Sequence, residues 1–483
     1  MPRTPSTRTA VPIAALVVAG LLLSTAGQAA AQTQQPDAPA PATAGYAPGE
    51  LVVRYEPGTS KTDRTAIRQE LGATVESTMG IRGAEVLDLP SDAGVQAAVE
   101  AAESLPDVLY AEPNYSYEMT ASPNDPMFGE MWSLGLAASD GQNSGIGTPR
   151  VWNLTTGSPN VTVGVVDTGI DGAHPDLSGN MWTNSAEIAG NGVDDDGNGM
   201  VDDTRGWDFV NDDNDPNDEN GHGTHVAGTI GARGNNANGV TGVSWDVRLM
   251  PLRVLDAAGS GWTSDVAAAF AYAGRKGVDV VNASLAGPSP SVAVLDAIQA
   301  SPNTLFVVAA GNSSSNVDVA PSYPCSYPLP NVICVAATDQ SNRLSGYSNY
   351  GVGGVDLAAP GDRILSTWPG GTYSEMTGTS MATPHVAGVA ALLLARHPES
   401  SAVAIRAAIL SGTEVLPSLA GRTVTGGRLN AAGAFERMGD VVPIENRTDR
   451  NISRDEDESK KRCQARRRHQ RRGRARHRRC GGR

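Results

Sequence analysis

The sequence predicts an α/β protein: a three-layer body with a mainly parallel central sheet, preceded by a small α+β domain. Three observations carry this. Between residues 122 and 443, short apolar runs rich in β-formers alternate with helical stretches, the pattern of a parallel sheet with helices on both faces. Asp167 and Asn312 directly follow two of those runs, as expected of functional groups at the carboxyl edge of such a sheet. From residue 45 to about Ala121 the pattern differs, with two helices interleaved among short strands.

Taken in order, the chain opens with Arg3 and Arg8, an apolar run of 13 residues from Val11 to Leu23, and the small residues Ala29, Ala30 and Ala31. That run is shorter than the roughly 20 residues that cross a bilayer, so residues 1–31 read as an export signal. A secreted, extracellular protein is expected. Residues 32–44 are rich in Pro and Ala and read as a linker. In the small domain, ELVVRY, AEVLDLP and VLYAEPNY alternate like strands. KTDRTAIRQELG, ending on Gly72, and VQAAVEAAESL read as helices. In the body, VTVGVVDTGI, VRLMPLRVLD, VDVVNASL, TLFVVAAGN and VICVAAT predict strands. TSDVAAAFAYAGRKG and SVAVLDAIQAS predict helices between them. Residues 444–483 are charged and poor in apolar side chains, and read as a disordered tail.

Composition narrows the function. The formal net charge of −15 is a poor match to nucleic acid, although thirteen Lys and Arg follow Ser459. That basic tail is a candidate for binding anionic polymers or for being trimmed away. Four cysteines occur. Cys325 and Cys334 flank a Pro-rich turn, and an oxidising compartment permits a disulfide between them, the alternative being two buried thiols. Cys463 and Cys480 lie in the tail and carry no assignment.

Just before a Gly-His-Gly-Thr segment, the loop NGVDDDGNGMVDDTRGWDFVNDDNDPNDENGHG holds eleven acidic residues against Arg205. Clustered carboxylates repel unless a cation neutralises them, and hard oxygen ligands at alternate positions suit Ca²⁺. Asp194, Asp196, Asn198 and Asp202 stand at the first, third, fifth and ninth places of an EF-hand-like loop, with Gly199 at the sixth. Arg205 stands at place twelve, so no Glu closes it. A solvated acidic surface is the alternative.

Three segments carry the chemistry: VVDTGIDGAHPDL with Asp167, NGHGTHVAGT with His222, and GTSMATPHVAGVAALLL with Ser380. A serine hydroxyl is a weak nucleophile unless a base takes its proton during attack. A histidine can act as that base, and a buried carboxylate can hold its tautomer. Ser380 precedes a strong helix-forming run, so it should sit at a helix N-terminus, where free N–H groups favour negative charge. Gly221 and Gly223 flank His222 and suggest close backbone approach to a substrate. His225, His385 and His397 lie on predicted helices and read as structural.

Together, in the order Asp, His, Ser, these segments resemble the subtilisin family, and the resemblance extends from about Asn124 to Met438. It implies a subtilisin-like fold and a serine endopeptidase that cuts protein or peptide substrates through an acyl-enzyme. Asp167, His222 and Ser380 would be catalytic, with the Asn312 amide and the Ser380 N–H holding the oxyanion. The substrate would add as a strand between Gly259-Ser260-Gly261 and Ser284-Leu285-Ala286. Ala286 departs from the family's usual glycine. Ser322, near the base of the first pocket, implies a medium-sized, mainly apolar preference.

The same resemblance gives a second calcium set, Asp208, Asn211, Asp213, Asp215 and Asn217, as in thermitase-like subtilisins. A third would be Asp125, Asp176 and Asn236. In each the ion would be structural. Residues 45–121 resemble the family's inhibitory propeptide, with self-cleavage expected near residues 117–123. A monomer is expected. The alternatives on this fold are a dedicated processing peptidase or peptide cyclase, or a protease anchored to anionic surfaces by its basic tail.

Overall fold

The structure is a computed structural model and describes residues 46–90, 94–115, 122–135 and 144–440. The expected signal, linker, self-cleavage segment at its core, charged tail, Cys463 and Cys480 lie outside the described residues, apart from Pro123 and Ser122 at the segment's end.

The N-terminal domain runs β1 (Tyr46–Tyr55), α1 (Lys61–Glu70), β2 (Thr74–Thr78), β3 (Ala84–Asp88), α2 (Val95–Ser104) and β4 (Val108–Tyr115). Ser60 caps α1 by accepting from Asp63 N. Its sheet is antiparallel, in the order β2-β3-β1-β4. Leu51, Val53 and Leu87 from the sheet meet Ile67, Val99 and Ala102 from the two helices. Strand β2 escapes a reading of the sequence because TVEST is exposed at every position and shows no apolar alternation.

The body begins with α3 (Thr148–Val151), β5 (Gly157–Asp167), β6 (Trp207–Asp208), α4 (His222–Gly231) and β7 (Asp246–Arg253). It continues through α5 (Thr263–Arg275), β8 (Val280–Ala283), α6 (Val292–Gln299), β9 (Leu305–Ala309), β10 (Val332–Thr338) and β11 (Leu357–Pro360). A hairpin of β12 (Ile364–Trp368) and β13 (Thr372–Met376) precedes α7 (Thr379–Arg396) and α8 (Ala402–Ser411). Short strands β14 (Glu414–Val415) and β15 (Gly427–Arg428) and helix α9 (Ala431–Arg437) complete it.

The central sheet has nine strands in the order β14-β15-β11-β10-β9-β8-β5-β7-β6. All its pairings are parallel except β14 with β15. Its strands are continuous apolar runs because helices cover both faces. Val163 and Val165 of β5 enter the core shared with α4, α7, α8 and α9, while Val166 enters the core shared with α5 and α6. Helix α7 runs through the first of these cores, buried from Met381 to Leu394. No helix among the described residues is long and apolar enough to cross a membrane.

Cys325 and Cys334 form the expected disulfide, with Cα atoms 4.9 Å apart. It ties the segment around Ser322 and Tyr323 to strand β10.

Candidate active site

Four elements deliver the predicted chemistry to one edge of the sheet. Asp167 is the last residue of β5, His222 the first of α4, and Ser380 the second of α7. Asn312 follows β9 by three residues. His222 and Ser380 border one cavity of about 550 Å³. Asn312 and Ser380 border a second, of about 470 Å³.

Asp167 is fully buried. Its Oδ1 lies 2.6 Å from His222 Nδ1 and also accepts from Thr168 N at 2.8 Å. Its Oδ2 has no hydrogen-bond partner. This contact places the ring proton on Nδ1 and leaves Nε2 as the basic nitrogen. Burial opposes charging the imidazole, but Asp167, through charge and hydrogen bond, outweighs it with help from Asp218. The net effect raises the His222 pKa above the ordinary histidine value. Ser380 Oγ donates to the Ser284 carbonyl at 3.1 Å, and no hydrogen bond joins it to the imidazole. In return, Ser284 Oγ donates to the Ser380 carbonyl at 2.8 Å. In the absence of substrate such catalytic contacts are commonly long.

Thr379 orients Asn312. Its N–H and its hydroxyl both donate to Asn312 Oδ1, each at 2.9 Å. The amide therefore turns its Nδ2 away from Thr379. A methyl group built on Gly378 would lie 3.3 Å from that Nδ2 and 3.6 Å from Ser380 N. The space between the two donors thus exists because residue 378 has no side chain.

Two residues absent from the sequence reading shape this site. Thr379 is one. The other is Asp218, buried just before α4. It accepts from Thr168 Oγ1, Asn220 N, Gly221 N, Thr224 N and Thr224 Oγ1. It thereby satisfies the open N-terminus of the helix that carries His222. Its signal was hidden among the other acids of the loop. The glycines beside His222 work differently from expectation. A Cβ on Gly221 would strike the Trp368 ring at 2.5 Å, and one on Gly223 would strike the Gly169 carbonyl at 2.1 Å. Both make room for packing inside the protein rather than for a substrate.

Gly259, Ser260, Gly261, Ser284, Leu285 and Ala286 all line the cavity that holds His222. Leu255, Val266, Val294, Tyr323 and Tyr327 give it an apolar floor. Ser322 lines the neighbouring cavity with Ala286, Asn312 and Ser380. Among the other histidines, His225 Nε2 donates to the Ile364 and Ser374 carbonyls, and His385 Nδ1 to the Met381 carbonyl. His174 Nε2 donates to the Thr372 carbonyl, and His397 bonds Asp440.

The three candidate calcium sets lie in separate places, two in the acidic loop and one outside it. Glu187, Asp194 and Asp196 converge, with a carboxylate oxygen from each within 4.8 Å of the others. Glu187 lies upstream of the EF-hand-like run, where no motif advertised it. Asn198 bonds Asp203 through Nδ2, and Asp202 turns away to accept from Asn191 N and Gly192 N. Lys276 also reaches Asp196 and Asp203. In the second set, Asp208 accepts from Asn211 and pairs with buried Arg253 at 2.9 Å. Asp213 accepts from Asp215 N. Asp208, Asp213 and Asp215 do not converge as a three-carboxylate group among the described residues. In the third, Asp125 accepts from Asn235 N and Asn236 N, and Asn236 Nδ2 donates to Asp176 at 3.0 Å. Burial raises the Asp125 pKa, Asp176 adds to the rise, and the two backbone N–H groups oppose it.

A carboxylate-oriented imidazole beside a serine at a helix N-terminus, on a parallel α/β sheet, defines a serine hydrolase. Comparison with known proteins refines that class. Residues 158–439 match the subtilase family, and residues 32–114 match the fervidolysin N-terminal prodomain. The chain is 36% identical over 350 residues to a thermophilic serine proteinase of Bacillus sp., covering 72% of this chain and 78% of that protein. It is 38% identical over 317 residues to thermitase of Thermoactinomyces vulgaris, covering 65% of this chain and 99% of thermitase. Among solved structures, a protease of Pseudoalteromonas arctica aligns with a TM-score of 0.55 at 30% identity. That alignment covers 66% of this chain and all of the other. The chain belongs to the subtilase family: it is a subtilisin-like serine-type endopeptidase preceded by a prodomain.

Proposed function

We propose that Asp167, His222 and Ser380 form the catalytic triad of a secreted, self-processing endopeptidase. The observation that carries this is the 2.6 Å contact between His222 Nδ1 and buried Asp167 in the cavity that Ser380 borders. Ser380 Oγ leaves the Ser284 carbonyl, passes its proton to His222 Nε2 and attacks the scissile carbonyl. Asp167 holds the imidazolium that forms. The negative oxygen meets the Asn312 amide and the Ser380 N–H, donors fixed before the reaction begins. His222 then protonates the leaving amine, and water repeats the sequence on the acyl-enzyme.

The substrate lies as an added strand between residues 259–261 and 284–286, with the apolar floor selecting side chains. The domain of residues 45–121 inhibits the enzyme until cleavage near residues 117–123. The all-oxygen donors around Glu187, Asp194 and Asp196 fit Ca²⁺; at the third set the carboxylates of Asp125 and Asp176 would hold an ion, while Asn236 turns its amide nitrogen toward Asp176. Calcium there would neutralise crowded carboxylates and stabilise the fold. Asp208 has Arg253 as an internal counter-charge, so an ion at that set would share its carboxylate with a cation.

The test is Ser380→Ala, purified and followed by mass spectrometry. It is expected to accumulate as unprocessed precursor and to leave unfolded casein intact. Normal processing of the isolated variant would remove self-cleavage from the proposal. Casein digestion by it would remove the triad.

A further inference from the structure

The loop that carries Asn312 is held by one buried side chain from another part of the chain. Asn349 is 5% exposed and lies between β10 and β11. Its Oδ1 accepts from Ser313 N at 3.0 Å and from Ser315 N at 2.9 Å. Its Nδ2 donates to the Ala310 carbonyl at 2.8 Å, and its own N–H donates to the Gly311 carbonyl at 2.9 Å. It therefore bonds backbone groups on both sides of Asn312. The fit is tight: Gly311 has φ +103°, and a methyl group there would meet Asn349 Nδ2 at 2.6 Å.

We propose that Asn349 is a positioning residue for catalysis, holding the 310–315 loop so that the Asn312 amide is aimed at the oxyanion before it forms. The inference rests on the oxyanion role of Asn312. Thr379 fixes the rotation of the Asn312 side chain and accepts from Gly311 N, while Asn349 alone ties the Ala310 carbonyl to Ser313 N and Ser315 N on the two sides of Asn312. Neither bond set can replace the other. Replacing Asn349 by Ala keeps its main-chain bond to Gly311 but strips the partner from three backbone groups, Ser313 N, Ser315 N and the Ala310 carbonyl, and the loop shifts as they find new ones. A donor displaced by a fraction of an ångström is lost mainly to the transition state, because only there does the oxygen carry full charge.

The experiment is a double-mutant cycle on mature enzyme, produced by cleavage with a tagged wild-type enzyme that is then removed. The probe is a chromogenic peptide anilide of apolar sequence. Asn312→Ala is expected to lower kcat on the order of 100-fold, the usual consequence of losing one oxyanion donor. Asn349→Ala is expected to lower kcat at least about tenfold, with KM changing less than about threefold. In the Asn312→Ala background the same change is expected to lower kcat less than about threefold, because the donor it positions is already gone. Asn349→Ser, which keeps a short acceptor, is expected to fall between wild type and Asn349→Ala, and serves should the alanine variant not fold.

Multiplying losses in the double variant would overturn the positioning role and leave a general structural one. So would a rise in KM at unchanged kcat. If Asn312→Ala alone retains full kcat, the oxyanion assignment fails first, and the positioning of that amide fails with it.

Discussion

The charge state of His222 is decided by opposing forces. Burial favours the neutral ring, while Asp167 and, behind it, Asp218 favour the charged one and prevail. A general base works only when neutral, so activity is lost as pH falls through the raised folded pKa. The rising limb of kcat/KM is therefore expected to centre above 6.5, the ordinary histidine value. A limb centred below 6.5 would contradict the electrostatics. Gly378 allows a second prediction. Gly378→Ala inserts a methyl group between the two oxyanion donors. It is expected to lower kcat on the order of 100-fold with little change in thermal stability, read by steady-state kinetics beside a melting curve. The gathering of Asp167, His222, Asn312 and Ser380 at one edge of the sheet was legible in the sequence because Asp167 and Asn312 directly follow apolar runs and His222 and Ser380 stand in long motifs that open helices. Thr379 was not, because its role is a hydrogen bond to a group far along the chain, and Asp218 was not, because it is one acid among many in its loop.

At the scale of elements, α4 and α7 each bury a histidine in the core. Burial pushes the His225 and His385 pKa values down to about 4 from an ordinary 6.5. The unfolded chain therefore binds more protons than the folded one between those values. Stability is expected to be intact above pH 6.5 and to fall as pH drops toward 4, by on the order of a few kcal/mol for each ring. His225→Gln, whose amide can donate where Nε2 does, should flatten part of that fall in urea titrations across this range. An unchanged acid limb would exclude the ring as its source. The strands and helices of the body were legible because two-sided burial makes each strand an unbroken apolar run. Strand β2 was not, since it joins its sheet by backbone bonds while its side chains face water.

The whole molecule depends on how its acidic stretch is neutralised. The structure shows internal cations, with Arg253 on Asp208 and Lys276 on Asp196, and a cluster of Glu187, Asp194 and Asp196 where the proposed calcium would supply the rest. Excess chelator, with metal loss verified, is expected to lower the melting temperature substantially. Glu187→Gln is expected to reduce that shift, whereas an unchanged shift would show that the Glu187 cluster holds no ion. The calcium reading was legible as composition, but its geometry was not. Glu187 completes the cluster from outside the motif, and Arg253 arrives from a strand distant in sequence. Helix α7 has a consequence of another kind. Ser380, the nucleophile of the proposed triad, rides on the rod about which the interior is assembled, packed against β5, β8, β9, β10 and β11 at once. A half-folded chain has the serine but nothing to aim it. The capacity to cut other proteins therefore cannot precede the finished architecture, and the proposed inhibition by residues 45–121 holds it back further, until cleavage.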